Sequence, residues 1–219
     1  MRIVFPLFPG YTALDAIGPY EVLRFLPGAE VVFAAERPGP VPADSGALRI
    51  TADAALGDID SCDIVVVPGG PGSRALAVAS SPYVRWLRAV HPATRWTASV
   101  CTGALLLGAA GILDGLRATT HWNSIDRLES FGAVPTGQRV VFQGKVVTAA
   151  GVSSGIDMAL ELAARIEDRT TAEAVQLLIE YDPRPPFDSG ATDKATPAVR
   201  ARAQELAADA LARGASRTT

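Results

Sequence analysis

Apolar runs and amphipathic segments alternate along the chain. The run at residues 64–67 is entirely apolar, as expected for a strand that is buried on both faces of a parallel sheet. Further strands are predicted at residues 3–8, 31–35 and 95–100, and helices at residues 12–25, at residues 74–90 and from residue 102 onward. This alternation predicts a three-layer α/β/α sandwich around a mostly parallel sheet.

The later part of the chain adds a hairpin and three helices. Residues 139–142 and 145–148, joined by Gln143 and Gly144, predict a β-hairpin. Helices are predicted at residues 154–167, 171–180 and 197–213, short strands at 48–51 and 118–120, and a Pro/Gly-rich loop at 38–42. Because no repeat or boundary interrupts the pattern, we predict one domain over residues 1–219, in which residues 190–219 form a C-terminal helical extension.

Composition and charge exclude several classes of protein. Hydrophobic residues make up 48% of the chain and charged residues 20%, which is typical of a soluble globular domain. The net charge of −3 gives no electrostatic reason to bind nucleic acid or an anionic membrane. No apolar stretch is long enough to span a membrane, and Pro6 and Pro9 interrupt the N-terminal apolar run too early for a signal peptide. Since Cys62 and Cys101 form no C-x-x-C pair, we expect a cytoplasmic protein without a disulfide framework or a thiolate metal site.

Cys101 lies where a predicted strand runs directly into a helix of small residues. The unpaired amide groups at the start of that helix are expected to favour the thiolate over the thiol. Ser99, Gly103 and Ala104 keep the turn narrow and leave the sulfur accessible. The arrangement is typical of a nucleophile elbow with Cys in place of Ser. The alternative is a buried structural cysteine, because free cysteine is among the most buried residue types.

Two other strand ends are expected close to Cys101, since active sites in open parallel sheets lie outside the carboxyl ends of the strands. The strand at 64–67 ends in a turn with Gly69 and Gly70, which either brings backbone amides to a ligand or simply allows a tight turn. The first strand leads to Asp15, whose carboxylate in an apolar stretch is either functional or an N-cap. Pro19 is expected to break the helix shortly after Asp15.

Histidine is scarce in this chain. A hydrolase of the Cys-His-acid type needs a histidine beside the thiol, and only His91 and His121 are available. His91 precedes a proline at a helix end and is expected at the surface. His121 either lines a pocket or is a hydrogen-bonded structural histidine. We therefore expect a carboxylate to supply the acid and base chemistry.

Five motifs of the chain carry a resemblance to a known family. They are Leu14-Asp15-Ala16-Ile17-Gly18-Pro19, Pro68-Gly69-Gly70, Ala98-Ser99-Val100-Cys101-Thr102-Gly103-Ala104, Thr119-Thr120-His121-Trp122 and Glu180-Tyr181-Asp182-Pro183-Arg184-Pro185-Pro186-Phe187. Together they resemble the ThiJ/PfpI superfamily and, within it, the isonitrile hydratases, over nearly the whole chain. The resemblance implies a flavodoxin-like sandwich, a homodimer, and hydration of isonitriles to N-substituted formamides without a metal or an organic cofactor.

The resemblance also implies roles for individual residues. Cys101 attacks the isonitrile carbon to give a thioimidate, and Asp15 acts as general acid and then as general base. This role requires an apolar setting that raises the pKa of Asp15 from its ordinary value of about 3.9. Thr102 positions water or substrate through its hydroxyl, and the Gly70 amide orients the reacting group. The residues predicted to contact the small-molecule substrate besides Gly70 are Ile17, His121 and Trp122.

Two other kinds of function stay open. One is a ligand-sensing module, because similar domains are fused to DNA-binding helices in transcription regulators, although few residues follow Phe187 here. The other is a stress or redox-sensing protein, in which Cys101 oxidises reversibly. Substrate turnover separates both functions from catalysis.

Overall fold

A seven-stranded sheet forms the centre of the structure, and only the strand at one of its edges is antiparallel. The computed structural model describes residues 1–218, with side chains up to Gly214, so Thr219 lies outside the described residues. The strands, in chain order, are β1 (Arg2–Pro6), β2 (Glu30–Ala35), β3 (Gly39–Pro42), β4 (Arg49–Ala52), β5 (Ala54–Ala55), β6 (Ile64–Val67), β7 (Trp96–Val100), β8 (Arg117–Ala118), β9 (Val134–Pro135), β10 (Val140–Gln143) and β11 (Val146–Ala149).

The order of strands in the main sheet places the start of the chain at its centre. That order is β10-β11-β7-β6-β1-β2-β5, and all adjacent pairs are parallel except β10 and β11, which form the predicted hairpin. The chain leaves β1 toward β2 on one side and later returns to β6 on the other side. A crevice for ligands is therefore expected beyond the carboxyl ends of β1 and β6, where the direction of winding reverses.

Helices cover both faces of this sheet. They are α1 (Ala13–Leu23), α2 (Pro71–Leu76), α3 (Pro82–Val90), α4 (Gly103–Ala109), α5 (Ser154–Ile166), α6 (Arg169–Leu178) and α7 (Pro197–Thr218), with 3-10 helices at Leu56–Asp58, His91–Ala93 and Trp122–Phe131. α1, α5 and α6 pack in one group, and α2, α3 and α4 in another. The four residues of β6 are all buried, as two covered faces require. The predicted α/β/α sandwich is confirmed.

Proline explains two differences between the predicted and the observed helices. The helix predicted at residues 74–90 is two helices, because Pro82 begins α3 and the residue before a proline disfavours helical geometry. The predicted break at Pro19 is wrong, since α1 continues through this residue to Leu23. Pro19 packs close to Gly155 of α5, and this contact between the helices holds the proline inside α1.

Other differences concern short elements. The loop predicted at residues 38–42 contains β3, which pairs with β4 in an antiparallel ribbon outside the main sheet. The 3-10 helix Trp122–Phe131 had no sequence signal that we recognised. The C-terminal helix is confirmed and extends to Thr218. No helix in the described part of the chain combines the length and the apolar content that crossing a membrane requires.

The close approach of α4 to the end of β6 gives a first prediction. A Cβ at Gly103 would lie 2.2 Å from the Val67 carbonyl oxygen, whereas a Cβ at Gly137 meets nothing within 4 Å. Because backbone cannot yield as a flexible side chain does, we expect Gly103→Ala to lower the free energy of unfolding by about 2–3 kcal/mol. Urea unfolding measures this, with Gly137→Ala as the control expected within about 0.5 kcal/mol of wild type. Equal midpoints for the two variants would contradict the packing described here.

Candidate active site

Cys101 occupies a tight turn between β7 and α4. Its backbone has a φ of 56°, in the left-handed region that residues other than glycine rarely adopt. The Cys101 N–H points to the carbonyl oxygens of Ala149 and Ala150, each at 3.0 Å, and the Thr120 hydroxyl donates to the Cys101 carbonyl at 2.7 Å. These bonds on both sides hold the strained backbone in place. The predicted tight turn between strand and helix is confirmed. The expected accessibility of the sulfur is corrected, because Cys101 is only 5% exposed and reaches solvent only through a cavity.

Asp15 is fully buried beside this thiol. The Gly69 N–H donates a hydrogen bond of 2.9 Å to Asp15 Oδ2, and the carboxyl group also interacts with the Cys101 thiol. Asp15 Oδ1 has no nitrogen or oxygen hydrogen-bond partner among the described residues. The N-cap of α1 is Thr12, so the interpretation of Asp15 as an N-cap is wrong. The carboxyl group instead faces the reactive sulfur.

The ends of β1, β6 and β7 meet at this point, as the sequence predicted. The Thr12 N–H donates to the Gly69 carbonyl at 2.9 Å, and the Gly70 N–H donates to Thr102 Oγ1 at 2.9 Å. A Cβ at Gly69 would lie 2.4 Å from the Thr102 nitrogen and 2.9 Å from Asp15 Oδ2. Glycine at this position is therefore required for the carboxyl group and the elbow to approach each other.

Burial controls the protonation of both reactive groups. It raises the pKa of Asp15 from 3.8 to about 7, against the lowering effects of the Gly69 N–H and the Cys101 thiol. Burial and the nearby Asp15 carboxylate raise the pKa of the Cys101 thiol well above its ordinary value, and contacts with Thr102 lower it by less. Burial therefore opposes the thiolate that the start of α4 was expected to favour.

Thr102 has a larger set of partners than its predicted role requires. Besides accepting the Gly70 N–H, its hydroxyl oxygen lies 3.2 Å from the Gly70 carbonyl oxygen and 2.8 Å from Ser73 Oγ. The hydroxyl thus connects the start of α4 to the turn after β6. The Gly70 N–H is already used in its bond to Thr102. It was predicted to orient the reacting group, but in the structure it positions Thr102 instead. Positioning of water by Thr102 stays a prediction.

A cavity of about 430 Å³ opens above the sulfur and contains some of the predicted substrate residues. Cys101, Thr102, Gly70 and His121 line it, but Ile17 and Trp122 do not. Ile17 follows Asp15 by two helical residues, which turns it by about 200° around the helix axis. Trp122 begins a 3-10 helix and its ring lies 5.5 Å from the His121 ring. Both assignments to the substrate pocket are therefore corrected.

His121 occupies the pocket as a neutral ring. Burial lowers its pKa, and its Nδ1 lies 2.7 Å from Asn123 Oδ1 and 3.4 Å from the Asn123 backbone nitrogen. A Cβ at Gly151 would lie 2.5 Å from His121 Cδ2, so glycine makes room for the ring. Among the described residues, no group of three or more His, Cys, Asp or Glu side chains is arranged to hold a metal ion.

Most of the residues that line this cavity were not predicted from the sequence. Those residues are Thr12, Asp44, Ser45, Pro71, Arg74, Asn123, Val152, Ala207, Ala210, Leu211, Arg213 and Gly214. The Thr12 hydroxyl donates to Asp44 Oδ2 at 2.8 Å, and one Arg74 nitrogen lies 3.3 Å from Asn123 Oδ1. Thr12 had a local signal for a helix start, because threonine is a typical N-cap residue. The other lining residues belong to loops and to a distant helix, and no local pattern in the sequence indicates where these segments lie.

The raised pKa of Asp15 predicts a pH-dependent stability. A carboxyl group whose pKa rises on folding contributes its full stabilisation at a pH below its pKa in the unfolded state. That stabilisation is lost as the pH rises through its pKa in the folded state. The rise from 3.8 to about 7 corresponds to a loss of about 4 kcal/mol between pH 4 and pH 7. We expect Asp15→Asn to remove this loss and to be more stable than wild type at pH 8. Urea unfolding at several pH values tests this. The control Asp126→Asn, at an exposed position, should keep the wild-type dependence of the free energy of unfolding on pH. The same dependence in Asp15→Asn as in wild type would contradict the prediction.

The Thr102 hydroxyl gives a second prediction about the site. Thr102→Val leaves the buried Gly70 N–H without its acceptor, so we expect a loss of about 1–3 kcal/mol in the free energy of unfolding. Thr102→Ser retains the hydroxyl and is expected to lose less. Chemical denaturation of the two variants decides the matter, and a loss in Thr102→Val no larger than that in Thr102→Ser would contradict the role of the hydroxyl.

Three comparisons place this site among known proteins. The model of the DJ-1/PfpI family matches residues 1–165. The chain is 42% identical over 211 residues to the isonitrile hydratase of Pseudomonas putida, covering 96% of this chain and 92% of that protein. It is 31% identical to the HTH-type transcriptional regulator CdhR of Pseudomonas aeruginosa, over 74% of this chain and 49% of the regulator. A crystal structure of a ThiJ/PfpI family protein from Pseudomonas syringae superposes with a TM-score of 0.89 at 36% identity, covering 99% of this chain and 89% of that one. The chain therefore belongs to the DJ-1/PfpI family.

Proposed function

We propose that the protein is an enzyme that hydrates isonitriles to N-substituted formamides, with Cys101 as the nucleophile and Asp15 as the acid and base. The observation that carries the proposal is the meeting of the buried Asp15 carboxyl group and the Cys101 elbow at the ends of the central strands, where Gly69 bonds to Asp15 Oδ2 and lies directly against the Thr102 nitrogen. The 42% identity to an isonitrile hydratase over almost the full length of both chains supports this choice of reaction.

The first half of the reaction adds the thiol across the isonitrile carbon. That carbon is terminal and electron-deficient toward nucleophiles, and it also accepts a proton. Asp15 takes the proton from Cys101, the sulfur forms a bond to the carbon, and Asp15 delivers the proton to the same carbon. The S–H bond is broken and S–C and C–H bonds are formed. The product is a thioimidate on Cys101, and Asp15 is again a carboxylate.

The second half replaces sulfur by oxygen. The Asp15 carboxylate accepts a proton from water as the water oxygen bonds to the thioimidate carbon, and the proton passes to the nitrogen. The hydroxyl proton of the resulting adduct returns to sulfur through Asp15 as the C–S bond breaks. The formamide leaves and the Cys101 thiol is regenerated. One water molecule is consumed, and no electrons are gained or lost.

The pKa of Asp15 suits a group that both accepts and donates a proton. With a pKa of about 7, both forms of the carboxyl group are present near neutral pH. An ordinary aspartate would accept the Cys101 proton poorly, because its conjugate acid is far stronger than a thiol. Burial therefore makes the Asp15 carboxylate a stronger base than an ordinary aspartate, although it raises the pKa of the Cys101 thiol as well.

The redox-sensing alternative fits this site less well. Oxidation of cysteine proceeds through the thiolate, and exposed thiols of low pKa are the most susceptible. Cys101 is 5% exposed and its pKa is raised by burial and by the Asp15 carboxylate. A sensor that binds an isonitrile without turning it over is the alternative that a kinetic experiment must separate from an enzyme.

Steady-state formamide production from small alkyl and aryl isonitriles tests the proposal. We expect turnover by wild type and losses of at least about 10³-fold in kcat for Cys101→Ala and Asp15→Asn, since each variant removes one member of the reacting pair. Cys62→Ala, which changes the other buried cysteine outside the cavity, is the matched control and should keep wild-type turnover. Full activity of Cys101→Ala would exclude the covalent route. Binding without turnover would establish a sensor.

A further inference from the structure

The C-terminal helix α7 forms one wall of the cavity above Cys101. Residues Ala207, Ala210, Leu211, Arg213 and Gly214 line the same cavity as the reactive thiol. They lie more than 100 positions after Cys101 in the sequence, and the segment between Tyr181 and α7 is largely exposed. The chain therefore returns to its active site through a long connection that packs little against the core.

Apart from Arg213, the residues of α7 that line the cavity are apolar. Ala207, Ala210, Leu211 and Gly214 are spaced by three, one and three residues, which places them on one face of a helix. Leu211 remains 42% exposed although it lines the cavity, because the mouth is open. An apolar group bound in the cavity would cover this side chain, which would provide a hydrophobic gain on binding.

A close backbone contact fixes the end of α7 at the rim. Gly214 is buried, and a Cβ at this position would lie 2.2 Å from the Asp44 carbonyl oxygen. Asp44 in turn accepts the Thr12 hydroxyl at 2.8 Å, and its own N–H donates to the Tyr11 carbonyl at 2.8 Å. The segment that contacts Gly214 is thus attached directly to the residues that precede the Asp15 helix.

Other lining residues of the cavity are polar. Arg74 and Asn123 are in hydrogen-bond range of each other, and His121 contacts the same Asn123 oxygen. The C≡N–C unit of a free isonitrile is linear, so an isonitrile that approaches Cys101 with its terminal carbon directs its N-substituent away from the sulfur. Val152 and Pro71 also line the cavity, but the largest group of apolar lining residues on one element comes from α7.

We propose that α7 determines which isonitriles the enzyme accepts, by contacting an apolar N-substituent through Ala207, Ala210 and Leu211. This inference rests on the proposed hydratase function for its substrate class. The reacting groups belong to the ends of the central strands, whereas the size limit of the substrate is set by the last helix of the chain.

A substrate series with two tryptophan variants tests the proposal. Ala210→Trp fills the cavity side of α7, and Ala208→Trp adds the same side chain at an exposed position outside the cavity. For Ala210→Trp we expect the ratio of kcat/KM for cyclohexyl isonitrile to kcat/KM for methyl isonitrile to fall by at least about 10-fold. Ala208→Trp should match wild type for both substrates. Equal effects of Ala210→Trp on the small and the bulky substrate would overturn the proposal.

Alkylation of Cys101 provides a readout that does not depend on the hydratase activity. The ratio of rates for N-phenylmaleimide and iodoacetamide reports access of a bulky and a small reagent, with Cys101→Ala giving the background from Cys62. Ala210→Trp should lower this ratio by at least about 10-fold, and Gly214→Val, which pushes the helix end away from Asp44, should raise it. If wild type hydrates no isonitrile but these ratios change, the proposed hydratase function is wrong, and the position of α7 beside Cys101 is supported. Unchanged ratios in both variants would contradict that position of α7.

Discussion

The burial of one carboxyl group next to one thiol is the constraint on which this site depends. Asp15 is completely buried and receives a single backbone hydrogen bond, from Gly69. Burial with a single hydrogen bond destabilises the charged carboxylate, so the pKa of the group rises and the group is partly protonated near neutral pH. The elbow at Cys101 and the glycine at position 69 are both needed to bring the carboxyl group and the sulfur together.

This constraint links the fold to the chemistry. The same desolvation raises the pKa of Asp15 and of Cys101, so burial opposes a charge on either group. A thiolate stabilised by helix amides would be ready to react with oxidants as well as with substrate. In the proposed reaction the thiol would instead lose its proton only during the addition, to a neighbour that then returns it, which favours addition over oxidation.

The cavity is built from distant parts of the chain. Asp15 and Cys101 follow β1 and β7, and backbone and side-chain hydrogen bonds to the turn after β6 fix their relative positions. Part of the lining comes from α7, which reaches the cavity after a largely exposed connection. On the proposed function, changes in such a late helix would alter the substrate without disturbing Asp15 and Cys101.

The sequence by itself determined the elements whose signals are local. The apolar run of β6, the hairpin of β10 and β11, and the small residues around Cys101 each predicted their structure from neighbouring positions. Asp15 was also identified locally, because a carboxylate in an apolar stretch is costly wherever the segment folds. The meeting of three strand ends followed from the general topology of parallel sheets and is confirmed.

Only the tertiary structure decided how these pieces interact. The Asp15 carboxyl group bonds to Gly69, 54 positions away, and the Gly70 N–H is taken by Thr102, so neither partner is visible in a local pattern. The protonation of Cys101 depended on comparing desolvation with the effect of helix amides, and desolvation is known only once the surrounding residues are placed. The exclusion of Ile17 and Trp122 from the cavity and the arrival of α7 have the same cause, because pocket walls are assembled from segments far apart in sequence.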